Sequence, residues 1–539
     1  MKRILLSAVA AMALTIAAMP ASAQTPKQGG EAIVTFNNDL TTLDPQIGYD
    51  WQNWSVIKSI FDGLMDYEPG STVLRPDLAE SYTISDDGQT YTFKLRDGLK
   101  FHNGRAVTAA DVKYSLERAV NPATQSPGGG YFSVIKGYDE MAGGSATELS
   151  GVTAPDDKTV VIQLNRPDAT FLHLMAINFG YVVPKEEVEK AGANFGIAPV
   201  GTGAFKFVEW VPGQRLVLER FADYYQAGVP YLDKLTFEFG QDPTVAVLRL
   251  QKGEIDITGD GIPPAQFSEI MSDPASQDLI AIGEQLHTGY VTLNAKLPPL
   301  DNVKVRQAIN MAINKERIVK LINNRGAPAS QPLPPAMPGY DTAQKGYEFN
   351  PDKAKALLAE AGFPDGFDTE LYAMNVDPNP RIAQAIQQDL AAVGVRAEVK
   401  SLAQAEVIAA GGETKAPMIW SGGMAWIADF PDPANFYYGI LGCGSVGNGG
   451  WNWAGYCNEG LDQRANQADS MVTAEQSAAR TEAWKGIFND LMKDAPWVPV
   501  FNEKRFTYHS ARLGGDPALF TDPIHIPVNY DFIFNKDAQ

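Results

Sequence analysis

Two hydrophobic periods alternate along the whole chain, and this alternation limits its fold more than any other feature. Ala32-Ile33-Val34-Thr35-Phe36 is a short apolar strand that runs into the polar turn Asn37-Asn38-Asp39. Residues 82–95 read as a β-hairpin, with Asp86-Asp87-Gly88 as the turn and Tyr91, Phe93 and Leu95 alternating with Thr92 and Lys94. Two more hairpins are predicted: 152–164, turning at Pro155-Asp156-Asp157, and 205–218, turning at Pro212-Gly213. Helical patterns interleave with these strands. Thr108 before Ala109-Ala110-Asp111 resembles a capping box, and Val112, Leu116 and Ala119 then share one face. Asn350-Pro351 gives an N-cap followed by Pro at N1, and Ala354, Leu357, Leu358 and Ala361 form the stripe that Gly362 ends. Ile382, Ile386, Leu390 and Val393 line a further helix ending at Gly394, a strand follows over 395–402, and 302–322 is a longer helical region. The expected class is α/β with added antiparallel hairpins, and 539 residues suffice for two to four cores. No repeat of fixed period interrupts the pattern. The strand-rich region near 195–290 and the region near 500 suggest natural cuts.

The N-terminus adds a location. Lys2 and Arg3 precede an apolar run over 4–19, and Ala21-Ser22-Ala23 is a small-x-small cleavage pattern. The run is short for a bilayer span, so a signal peptide cleaved after Ala23 is expected, with a membrane anchor as the alternative. No Cys follows the cleavage site to carry a lipid. The expected destination is a bacterial periplasm, with no membrane insertion after cleavage. The formal net charge is −20, which argues against nucleic acid or an anionic membrane as partner. Cys443 and Cys457 are the only cysteines. In an oxidising compartment so close a pair reads as one disulfide, with free thiols as the alternative.

Few catalytic templates match. GxxxxGK[ST], HExxH and GxSxG are absent from the sequence, and His102, His173, His287, His509 and His525 lack metal-ligand spacing. No cofactor, metal ligand or catalytic residue is therefore assigned. One GxGxxG occurs at 442–447, but Trp451-Asn452-Trp453 and more glycine follow it rather than a helical pattern, so a loop is expected. The stretch GGMAWIADFPDPANFYY at 422–438 sets Asp429 and Asp432 in apolar company. Such carboxylates are costly unless cations or donors meet them. As a pair they could serve acid–base chemistry in a secreted hydrolase. Asp432 could instead cap a helix starting at Pro433. Trp420, Trp426, Trp451 and Trp453 crowd this window, and Tyr49, Trp51 and Trp54 form a second aromatic group. Aromatics in such loops suit either binding-site walls or core filling.

The chain resembles the extracytoplasmic solute-binding proteins of ABC transporters, specifically the dipeptide/oligopeptide/nickel class of family 5. The resemblance rests on segments in family order: Leu43-Asp44-Pro45, Ile60-Phe61-Asp62-Gly63-Leu64, the block from Leu74-Arg75-Pro76-Asp77 to Phe101-His102-Asn103-Gly104, Pro199-Val200-Gly201-Thr202-Gly203, Gly253-Glu254-Ile255-Asp256-Ile257, Val305-Arg306-Gln307-Ala308-Ile309 and Asn350-Pro351-Asp352-Lys353-Ala354, then the 422–438 stretch. It implies a two-lobed periplasmic binding protein, type II, of the large three-subdomain class. Lobe one is then expected over 24–55, 200–290 and 505–539, an inserted subdomain over 56–199, and lobe two over 291–504. It implies a small-molecule or peptide ligand, most simply a peptide, delivered to an inner-membrane ABC permease. Non-peptide solutes such as oligosaccharides, opines or metal complexes are the alternative. A monomer suits a lobe-closing trap.

The resemblance also implies a site. In peptide-binding relatives the Asp of a Trp-x-x-Asp segment pairs with the ligand α-ammonium, and here that Asp is Asp429, with Trp426 as wall. Tyr49, Trp51, Asp260, Gly261 and Tyr290 fall in segments that face ligand in relatives. Oligopeptide-binding relatives carry a carboxylate-binding Arg three residues before the Trp, where this chain has Gly423. The partner of a ligand carboxylate is thus left open.

Overall fold

The protein is described from a computed structural model, over residues 25–422, 426–447, 449–524 and 527–538. The expected signal peptide and cleavage site, Gly423 and His525 lie outside the described residues.

Three sheets carry the fold. The first has five strands in the order Ile257–Thr258, Glu31–Thr35, Lys234–Glu238, Arg215–Arg220, Phe205–Val211. Its first three strands run parallel, and the 205–220 hairpin is added antiparallel. Val34, Phe36, Leu218, Leu235 and Phe237 fill its core, and the C-terminal residues Leu513, Val528 and Tyr530 close over it. The second sheet is an antiparallel arrangement of Ala79–Ile84, Thr90–Leu95, Thr159–Gln163 and Val152–Asp156. Helix Ala109–Val120 covers it, burying Val112, Leu116 and Ala119 as its spacing predicts. Burying each such Val or Leu contributes about 1.5–3 kcal/mol. The Asp111 carboxylate accepts from the Thr108 backbone N–H at 2.9 Å and fixes the helix start.

The third sheet runs Ile280–Glu284, Trp497–Tyr508, His287–Leu293, Met418–Trp420, Phe367–Met374, Val395–Leu402. Helices Val303–Ala312 and Asn379–Ala391 pack on it through Ile309, Ile382, Ile386 and Leu390. The twelve-residue strand Trp497–Tyr508 ties the molecule together. Its first half pairs with His287–Leu293, and its second half pairs with Ile280–Glu284 beside the first sheet.

Two boundaries differ from the sequence reading. The second hairpin turns at Asp157-Lys158, because Asp156 pairs with Thr159 and its carboxylate accepts from the Lys158 N–H at 2.9 Å. Pro155 stays in the strand, at a sheet edge where its missing N–H costs no ladder bond. The region 302–322 is two helices, because Asn314 caps a second one, Lys315–Leu321, by accepting from the Arg317 N–H. Cys443 and Cys457 form a disulfide, 14 residues apart. Closing a loop of this length contributes about 3 kcal/mol in the chain-entropy account.

Candidate functional site

Asp429 gathers groups from three parts of the chain. Its Oδ1 accepts from the Tyr49 hydroxyl at 3.2 Å, and Tyr49 immediately precedes the helix Trp51–Ile60 and its cap Asp50. Its Oδ2 accepts from the Tyr131 hydroxyl and from Asn435 Nδ2 at 3.0 Å. Tyr131 lies in the 3-10 segment Gly129–Val134, which packs with the four-stranded sheet. Asn435 lies in the first turn of helix Pro433–Ile440. Its Oδ1 accepts from the Asp429 N–H at 3.1 Å and from Trp426 Nε1 at 2.9 Å. Phe430 meets Tyr131 edge-on, with ring centroids 6.1 Å apart. So one carboxylate joins segments far apart in sequence.

Asp429 is buried, 6 % exposed, and makes no ion pair among the described residues. Burial pushes its carboxyl above the usual range, and the Tyr131, Asn435 and Tyr49 donors oppose that rise. The same burial, with the Asp429 charge, pushes both tyrosine hydroxyls up, so they stay protonated donors. A cavity of about 10 Å³, the space of one water or one ammonium group, lies against Asp429. Asn178 lines it too. Its Nδ2 donates to the Pro45 and Gly48 carbonyls at 2.7 and 2.8 Å, while its Oδ1 is buried with no donor among the described residues. Asp429 and Asn178 thus both line this small cavity.

Asp432 does different work. It caps helix Pro433–Ile440 by accepting from the Ala434 N–H at 2.9 Å. It also forms a two-pronged pair with Arg480 at 2.6 and 2.8 Å, and Arg480 reaches Asp469 at 2.6 Å. Burial works to raise the Asp432 carboxyl, but the Arg480 guanidinium overcomes it and holds the carboxyl below its usual range. Asp469 shares that single cation. Burial and then the Asp432 charge push it up to about 7. Between about pH 4, the ordinary aspartate range, and pH 7 the folded chain therefore keeps a proton that the unfolded chain has lost. This term lowers stability as pH rises through that window. Asp469→Asn should flatten that part of the profile, gaining stability over the parent at pH 7 and converging with it below pH 4. Chemical denaturation midpoints across pH 4–8 would check this, and parallel profiles would contradict it.

The other anticipated residues divide. Trp51, Asp260 and Gly261 line one cavity of about 220 Å³, with His287, Arg325, Ile427 and Arg505 among its other walls. Tyr49 and Trp426 belong to the Asp429 network. Tyr290 lines neither cavity. Its ring stacks on Trp497 with centroids 3.5 Å apart and is buried with it. Of the clustered tryptophans, Trp420 and Trp453 are core, whereas Trp426 and Trp451 are partly exposed and meet edge-on. The 442–447 glycines form a short 3-10 turn after a helix, stapled by the disulfide, and no helix opens there. Sequence reasoning missed Tyr131, Asn178, Asn435, His287, Arg325 and Arg505. Asn435 alone had a local signal, as the first polar residue of a helix entered through Asp-Pro.

Helix-covered α/β sheets tied by the long strand Trp497–Tyr508, with an aromatic and charged cavity beside that strand, are the architecture of extracytoplasmic binding proteins. The family "Bacterial extracellular solute-binding proteins, family 5 Middle" matches residues 73–448, and the chain belongs to it. Heme-binding protein A of Haemophilus influenzae is 33 % identical over 89 % of this chain and 87 % of its own. Glutathione-binding protein GsiB of Escherichia coli K12 is 31 % identical over 94 % of this chain and 95 % of its own. The solved periplasmic binding protein DppA of Helicobacter pylori, in complex with the peptide STSA, superposes with a TM-score of 0.77 at 26 % identity, over 95 % of this chain and 99 % of its own. The chain is thus the solute-binding component of an ABC importer, and among its described residues no helix is long and apolar enough to cross a membrane.

Proposed function

We propose that this chain captures short peptides by their α-ammonium group and passes them to an inner-membrane permease. The observation that carries this reading is the buried Asp429 carboxylate, ringed by neutral donors, beside a one-atom cavity that it lines with Asn178. An ammonium group there would meet the Asp429 carboxylate, and its charge would offset the cost of burying it. Trp426, Tyr49, Trp51, Asp260 and Gly261 would wall the ligand. The peptide-bound relative supports the ligand class.

The lobe assignment proposed with this reading is 24–55, 200–290 and 505–539 for lobe one, 56–199 for the inserted subdomain and 291–504 for lobe two. The C-terminal residues that pack on the first core support it. Export to the periplasm with cleavage after Ala23, action as a monomer and absence of catalysis complete it. Asp432, fixed by a helix start and by Arg480, is a poor acid or base.

Thermal shift with free and N-acetylated tripeptides tests the reading. Saturable stabilisation by the free peptide, much weaker with the acetylated one, is expected. Equal stabilisation would overturn the ammonium role, and hydrolysed peptide in the incubation would restore the hydrolase.

A further inference from the structure

The cavity lined by Trp51 and Asp260 has an unusual balance for so acidic a chain. Three cationic and two acidic side chains line it, although the formal net charge is −20. Lys504 is spoken for by Glu284 at 3.0 Å. Arg325 is only loosely paired with Glu503, at 3.7 Å, and its Nε is buried without an acceptor. Arg505 makes no ion pair among the described residues. One arm donates to the Gly259 carbonyl, the guanidinium lies 5.2 Å from the centre of the Trp51 ring, and its Nε is buried without an acceptor. Desolvation pulls its pKa down to about 10, which an arriving anion would reverse. His287 is buried, its Nδ1 has no partner among the described residues, and its ring lines both this cavity and a neighbouring one of about 160 Å³. The guanidinium-bearing side chains of Arg325 and Arg505 and the imidazole of His287 therefore line one space.

The strands place this space relative to Asp429. Ile427 pairs with His287, and Phe501 pairs with Gly289 from the other side of the same strand. Asp429 and Arg505 continue those two segments past the same end of it. Two interstrand spacings, about 10 Å, and a stagger of two residues along the strands, roughly 7 Å, put their backbones about 12 Å apart. An extended chain of three residues spans at most about 10–11 Å, close to that separation.

We infer that Arg505, with Arg325 and His287, forms the carboxylate pole of the ligand site. The preferred ligand is a zwitterionic peptide of about three residues, its ammonium at Asp429 and its terminal carboxylate at Arg505. The neighbouring cavity, walled by Trp420, Phe501 and Ile382, receives an apolar last side chain. This rests on the peptide reading above.

The test uses the whole protein, calorimetry and four forms of Ala-Ala-Leu: free, N-acetylated, C-amidated and doubly blocked. Amidation should weaken binding to the wild type by roughly 30-fold or more, as for truncating one partner of a buried charge pair. In Arg505→Gln the free acid should bind no better than the amide. Arg505→Lys keeps the charge but not the planar fork, and should fall between. If Arg505→Gln fails to fold, the wild-type comparison of acid and amide decides alone. Equal affinity of acid and amide overturns the carboxylate pole whatever the amine does. Equal affinity of free and acetylated peptides, with the amide still weak, overturns the Asp429 reading and leaves this pole standing. No binding by any of the four overturns both.

Discussion

Asp429→Asn should cost a free-amine peptide about 2–5 kcal/mol of binding, roughly 30-fold to several thousandfold in Kd, while leaving the unliganded protein at least as stable. The two halves of this result have one cause. The carboxylate is buried without a cation partner among the described residues, and its protonation is pushed up because burial penalises the charged form. The charged form is held less comfortably in the folded chain than in the unfolded one. The sign follows: a raised carboxyl loses stability as pH rises through its window, so an isosteric neutral side chain removes a penalty. Asn keeps one acceptor oxygen, and the Tyr49 and Tyr131 hydroxyls can rotate to meet its amide. With ligand, the balance reverses, since the ammonium loses its counter-charge in a space that it fills, leaving no room for a compensating water. A merely structural aspartate would lose stability and affinity together. Calorimetry with free and acetylated peptides, beside denaturation midpoints of the unliganded protein, separates the cases. An unchanged Kd for the free amine would sink the assignment.

Local chemistry was legible in the sequence, and long-range meetings were not. The strand over 395–402 lies where the pattern puts it, because Gly394 ends the helix before it and alternation defines its faces. Asn350-Pro351 starts a helix, and Asp432 caps one, because caps are decided within three residues. The 302–322 break failed because the Asn314 cap competes with an unbroken apolar stripe, and the stripe is the louder signal. Site residues follow the same division. Asp429 and Trp426 stood out through a local motif, but the hydroxyls that meet Asp429 come from 380 and 298 residues away. Tyr131 sits in a glycine-rich turn without period, so nothing nearby marks it. Arg505 lies on a strand whose polar residues look like ordinary solvent-facing positions. Only the pairing of that strand with both halves of the molecule brings it to Trp51 and Gly259. Tyr290, in a segment that the family resemblance pointed to, stacks its ring on Trp497, a contact set by strand pairing rather than by local pattern.

Arg480→Met should destabilise the fold by about 3–5 kcal/mol, the usual cost of removing one partner from a buried ionic group. Asp432 and Asp469 are 3 and 5 % exposed, and Arg480 is the cation that both contact. Without it, two carboxylates face each other in a dry site, and protonating one does not replace the lost hydrogen bonds. The damage should also reach the ligand. Asp432 fixes the start of helix Pro433–Ile440, and the first turn of that helix presents Asn435 to Asp429 and Trp426. A loosened cap frees Asn435, so peptide affinity should fall along with stability, unlike in Asp429→Asn. Neutralising the group as a whole should restore much of the loss, because uncharged residues no longer need the guanidinium. In Arg480→Met/Asp432→Asn/Asp469→Asn, the side-chain amide at position 432 keeps a carbonyl oxygen that can still accept from the Ala434 N–H, so the helix start and the peptide site should return together. Denaturation midpoints and peptide Kd for the single and triple variants measure both effects. If the single variant loses stability but binds peptide normally, the link from Asp432 through Asn435 to Asp429 is broken, and Arg480 is only a structural tie.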